Sequence, residues 1–137
     1  MNNDIENYNS YLPLELEKVP KGKIRVLTKK VGKAPSIEII DDTLEAKQKI
    51  VDGLIEVVPF YNVKDTLIIC NEEGKILNMK PNLDIGYDYI AGDCFFVGDD
   101  YKNGDFKSLT REQISDIQEM LNEISFRYLS NEEEKER

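Results

Sequence analysis

The segment from Leu109 to Tyr128 constrains the fold most, because its pattern is that of an amphipathic helix that needs another layer to lie on. Thr110 and Gln113 have capping-box spacing, in which a hydroxyl and an amide carbonyl satisfy two otherwise orphaned backbone N–H groups. Leu109 before the cap and Ile114 after it form a hydrophobic staple. Ile114, Ile117, Leu121, Ile124 and Tyr128 recur at helical spacing and define one buried stripe. The charged run from Asn131 to Arg137 reads as a frayed tail.

What precedes this helix reads mainly as short strands. Lys23 to Thr28 alternates as a strand does, Gly32-Lys33-Ala34-Pro35 is a turn, and Ser36 to Ile40 returns, so the pair makes a hairpin. Asp42 with Glu45 predicts a capped helix ending near Asp52, with Gly53 just past it. Leu44, Ala46, Ile50 and Val51 give that helix a narrow apolar stripe. Leu54 to Val58 follows as a strand. Thr66 to Cys70 and Lys75 to Asn78 flank Asn71-Glu72-Glu73-Gly74, which predicts a second hairpin with those acids at its tip. Met79 to Tyr89 reads as irregular, and Ile90 to Val97 as a core strand in which Phe95 and Phe96 face opposite ways. One of these rings is expected in the core and the other under the closing helix or at an interface. The expectation is therefore an α+β fold in the order β-β-α-β-β-β-β-α: a mostly antiparallel sheet of five or six strands with two helices packed on one face. It comprises a loosely docked arm over residues 1–20, a single domain over 21–130 and a charged tail over 131–137.

Composition narrows the chemistry. The chain has 137 residues, room for one domain, and 40% of them are hydrophobic, enough for an ordinary core. No apolar run approaches the roughly 20 residues that span a bilayer, and the first ten residues lack the cations of a signal peptide, so a cytoplasmic location is expected. There is no histidine, which removes the commonest general base and every Ser-His or Cys-His arrangement. Cys70 and Cys94 sit in apolar runs with no CxxC spacing and read as small buried thiols. With no carboxylate pair singled out by spacing, no enzyme, cofactor or metal is expected.

Charge is unevenly spread. Seven cations and no acid lie between Lys18 and Lys33, whereas residues 34 to 137 carry 23 acids and 11 bases within a net charge of −9. Such a body repels duplex DNA, so no direct duplex binding is expected. The basic stretch lacks interleaved aromatics for base stacking and suits a hairpin edge protected by lysines. Its alternative use is anion binding through Lys23, Arg25, Lys29 and Lys30. Asp99, Asp100, Asn103 and Asp105 supply oxygen ligands but not EF-hand spacing, and read as a solvated loop with an Asn-Gly turn. Phe60-Tyr61 and Tyr87-Tyr89 border turns. Exposed together with Asp84, Asp88 and Asp93 they would form an acidic-aromatic recognition surface; otherwise they cover the rim of the core.

An ordered series of short segments then acquires meaning: Ile24-Arg25-Val26-Leu27, Gly53 to Pro59, Cys70 to Lys75, Pro81-Asn82, Ile90 to Asp93, Phe96-Val97-Gly98 and Ser108-Leu109-Thr110. Together they resemble the domain-of-unknown-function family numbered 3846, with Leu83 where a basic residue is expected and an additional N-terminal arm. The resemblance implies an accessory protein of a phage, plasmid or conjugative element and transfers no activity. With the acidic body, it gives the leading functional expectation, a non-catalytic protein that binds a host protein, as an anti-defence inhibitor would, through Asp84, Asp88, Asp99, Asp100 and Asp105. The other expectations are a nucleotide-sequestering protein using the four cations, and a structural or adaptor domain capable of homo-oligomerisation.

Overall fold

A computed structural model describes residues 18–136, with side chains to residue 123. The elements run β1 (Lys23–Lys29), β2 (Ser36–Asp41), α1 (Leu44–Val51), β3 (Ile55–Pro59), β4 (Thr66–Asn71), β5 (Pro81–Asp84), β6 (Tyr89–Ala91), β7 (Cys94–Asp100), β8 (Asp105–Lys107) and α2 (Arg111–Glu136). β2-β1-β7-β4-β3 form one sheet, to which β8 adds beside β7, while β5 and β6 pair separately. All pairings are antiparallel. The α+β class and the six-stranded antiparallel sheet agree with expectation.

The helices do not share a face. Val51 of α1 packs with Ile24, Val26, Ile69, Phe95 and Val97 on one side of the sheet. Ile114, Ile117 and Leu121 of α2 pack with Leu27, Ile68, Cys70, Cys94 and Phe96 on the other. The cause is the apolar run in β7: Cys94 to Gly98 are all buried, so both faces of this central strand need cover. Phe95 and Phe96 do face opposite ways, and Phe96 is the one beneath α2. The hairpin of β5 and β6 completes that second face by contributing Leu83, Ile85 and Ile90.

Four local expectations are also corrected. Lys75 to Asn78 is not a strand, because residues 72–78 coil into consecutive turns: Leu77 N–H donates to Glu73 C=O and Met79 N–H to Gly74 C=O. Gly74 fits closely there, since a Cβ would lie 2.7 Å from Ala91 O. The run from Ile90 to Val97 breaks at Gly92, whose φ of +88° separates β6 from β7, and part of the preceding segment is ordered as β5. Thr43, rather than Asp42, caps α1 by accepting from Ala46 N–H, which leaves Asp42 to pair with Lys47. Asp52 then closes α1 in the left-handed conformation.

The capping box at α2 is present in both directions: Thr110 N–H donates to Gln113 Oε1 and Gln113 N–H to Thr110 Oγ1. The spare amide N–H groups of Gln113 reach Asp65 O and Thr66 Oγ1, fastening the helix start to the head of β4. The helical backbone continues to Glu136 through the charged segment read as a tail, whose Glu and Lys residues are good helix formers. The expected packing of Ile124 and Tyr128 and the arm as far as residue 17 lie outside the described residues.

Asn71 closes the opposite end of β4. Its buried side-chain amide donates to Val51 O and Asp52 O and accepts from Glu73 N–H, joining the end of α1 to the turn. Gly53 makes room for it, since a Cβ there would sit 2.6 Å from Asn71 Nδ2. Asn71→Ala leaves these backbone groups unsatisfied, and chemical denaturation should show a loss of about 2 kcal/mol of stability.

Candidate interaction surface

The four cations read as an anion site are dispersed by β1. Lys23 is exposed and ion-paired with Asp41, its register partner on β2. Arg25 is buried, its guanidinium donating to Leu109 O at 2.6 Å while its backbone bonds Ser108 Oγ and Leu109 N–H. Lys29 is buried as well, with Nζ donating to Lys30 O and Asn82 Oδ1. Burial lowers its pKa, against the opposing influence of Cys94 and Asp93. Lys30 is exposed at the far end of the strand from Lys23. Two of the four are thus committed to the interior.

The acidic candidates divide between two hairpins. Asp99, Asp100 and Asp105 occupy the β7–β8 hairpin, where Asp100 accepts from Asn103 Nδ2 and Asp105 from Phe106 N–H. These are turn-closing contacts. Among the described residues, no three His, Cys, Asp or Glu side chains are grouped to hold a metal ion. Asp84 and Asp88 belong to the β5–β6 hairpin, and here the structure brings more together than any sequence spacing suggests.

At that hairpin Tyr61, Tyr87 and Tyr89 stand out from the surface, 78%, 59% and 42% exposed. Tyr61 and Tyr87 lean together, their ring centroids 5.8 Å apart, and the Tyr87 hydroxyl donates to Pro59 O at the end of β3. Asp84 accepts from Gly86 N–H and Asp88 from Tyr89 N–H, fixing the turn between the strands. Lys75 pairs with Asp88 and lies 4.5 Å above the Tyr89 ring. Leu83, Ile85 and Ile90 anchor the hairpin in the core beside Phe60, so the tyrosines project from a packed base. Asp93, grouped with them on sequence, is instead near β1, accepting from Val31 N–H.

The Lys75–Asp88 pair stays fully charged at neutral pH. The hydrogen bond from Lys75, and then that from Tyr89 N–H, hold the Asp88 carboxyl below its usual range, while Asp88 raises Lys75. Partial burial raises the Tyr87 phenol, followed by Tyr61, Asp88 and Glu56, so it remains a donor. Glu56 and Lys75 were missed from the sequence. The available signal was alternation in β3, which places Glu56 opposite Cys70 and therefore on the hairpin side of the sheet.

A family model described as Domain of unknown function (DUF3846) matches residues 24–122. The chain belongs to that family. No curated protein and no solved structure matches it. The span matched by the DUF3846 model runs from β1 into α2 and contains the whole tyrosine surface. Within it, Asn82 of the Pro81-Asn82 segment holds β5 to β1 by donating to Lys29 O and Gly92 O. Leu83, where a basic residue was expected, is buried in the core. Among the described residues no helix is long and apolar enough to cross a membrane.

Both family-span cysteines are free and buried. Burial, and next Glu56, push the Cys70 thiol from its ordinary 9.0 to about 11, and burial raises Cys94 further. A raised thiol pKa means the fold favours the protonated form. That contribution is intact below pH 9 and is lost as pH climbs through 11. The urea midpoint should therefore fall between pH 9 and 11, and Cys70→Ala should flatten the decline; native iodoacetamide labelling at pH 8 should be slow beside the unfolded chain.

Proposed function

We propose that this chain is a non-catalytic binding protein, an accessory of a phage or other mobile element that captures a host protein in the bacterial cytoplasm. The observation that carries the reading is the exposed Tyr61–Tyr87 pair beside Tyr89, Asp84 and Asp88 on an anchored hairpin. Tyrosine gives large contact area with little rotamer freedom to lose, and aromatic residues concentrate the binding energy of protein interfaces. Ionised carboxylates around such a centre favour a basic partner and speed encounter with it.

The mobile-element setting comes from the family resemblance, and it gives the acidic surface its most specific use. An inhibitor of a host nuclease or restriction complex presents carboxylates to a site meant for phosphate. Asp84 and Asp88 are the side chains best placed for this, with Asp99, Asp100 and Asp105 as a second patch on the β7–β8 hairpin. The nucleotide-sequestering alternative loses Arg25 and Lys29 to the interior.

Affinity capture from host lysate with the intact chain as bait tests the reading. A basic protein should be retained by the wild type and lost when Tyr61→Ala and Tyr87→Ala are combined, with capture by Asp99→Asn less affected. Failure to recover any protein, or recovery indifferent to the tyrosines, would count decisively against it.

A further inference from the structure

The tyrosine surface adjoins an open sheet edge, and the ladder shows which backbone groups that edge offers. β3 ends the main sheet on one side, pairing with β4 alone among the described residues. Leu54 O accepts from Glu72 N–H before the strand, and Phe60 N–H donates to Thr66 O after it. Residues 54 and 60 therefore point their backbone groups toward β4. Antiparallel pairing alternates residue by residue, so Glu56 and Val58 do the same, whereas Ile55, Val57 and Pro59 direct theirs outward. Pro59 O is indeed held from that side by the Tyr87 hydroxyl, and proline has no N–H to offer. The N–H and C=O groups of Ile55 and Val57 remain as a short outward row, bounded at one end by Pro59 and Tyr87.

Side chains along this edge are sorted by face. Ile55 and half-exposed Val57 lie on the α1 side, with exposed Leu54 just before them. Glu56 lies on the other side, next to Tyr87, Tyr89, Asp88 and its partner Lys75. The strand itself carries no lysine, the residue that commonly blunts an open edge.

Resting on the protein-binding reading above, we infer that the partner docks by adding an extended strand to β3, with basic side chains alternating with apolar ones. The apolar set continues the Ile55–Val57 row, and the basic set meets Glu56 and the anionic tyrosine rim. A second copy of this chain is a poor occupant. It would bring another Glu56 and another net charge of −9 to the same edge.

The test uses the intact protein and a synthetic peptide of alternating lysine and valine, followed by amide NMR. The Ile55 and Val57 amides should gain at least about tenfold protection from exchange, with affinity falling as salt rises. A peptide N-methylated at alternate amides should bind at least about tenfold more weakly, as should Val57→Pro with the unmodified peptide, and an alternating glutamate-valine peptide should not bind. With the peptide, strand addition is overturned by no binding, by equal binding of the N-methylated peptide, by protection appearing on β2 instead, or by Ile55 and Val57 amides already protected in the peptide-free chain. Lysate capture separates the two readings. Retention of the partner by Val57→Pro, with loss on the double tyrosine substitution, sinks strand addition and leaves the tyrosine surface standing. Retention by the double tyrosine variant sinks the surface reading itself.

Discussion

A strand that is apolar on both sides cannot be half covered, and β7 imposes that condition on every other element. Phe95 and Phe96 are both fully buried, one on each face, so removing either covering layer would expose a large ring to water. The short helix α1 covers one side, and α2 shares the other with the β5–β6 hairpin. The hairpin is a small two-stranded sheet that would be marginal alone. Leu83, Ile85 and Ile90 stabilise it by joining the main core, and the tyrosine surface is the outside of that arrangement.

Side-chain hydrogen bonds join the layers where strands end. Asn71 ties α1 to β4, Asn82 ties β5 to β1, and Gln113 ties α2 to β4. Each of these amides both donates and accepts, so it can satisfy backbone groups pointing in different directions. The same logic explains Arg25 and Lys29. Their charges sit on the interior side of β1 because Leu109 O receives the guanidinium, and Lys30 O and Asn82 Oδ1 receive the ammonium.

Much of this was legible in the residues. The capping box at Thr110 and Gln113, the β1–β2 hairpin, the buried thiols and the opposed phenylalanines follow from local chemistry and strand periodicity. The placement of the two helices was also written in Cys94-Phe95-Phe96-Val97, but only if that run is taken to demand cover on both faces. Ile76 and Leu77 misled in the other direction. They suggested a strand, yet both are exposed on a coil of turns whose shape comes from Asn71 and from Gly74 lying close to Ala91. The tyrosine surface was half visible, since Tyr61 and Tyr87 are 26 positions apart and meet only through tertiary packing. Asp93 was misgrouped for the same reason, because sequence nearness to Tyr89 does not survive the break at Gly92.

The tie between Arg25 and Leu109 spans 84 positions and has a bearing on how the chain is made. During synthesis the opening hairpin leaves the ribosome long before the carbonyl that receives its guanidinium exists. Until then a cation stands beside Leu27 on a strand awaiting burial, and neither water nor the unfinished core suits both neighbours. The face of β1 that carries Arg25 is closed only when the segment entering α2 arrives, so this part of the core is completed late. A prematurely terminated product would leave the β1 face open, and incompletely folded chains of that kind are drawn toward chaperones and proteases.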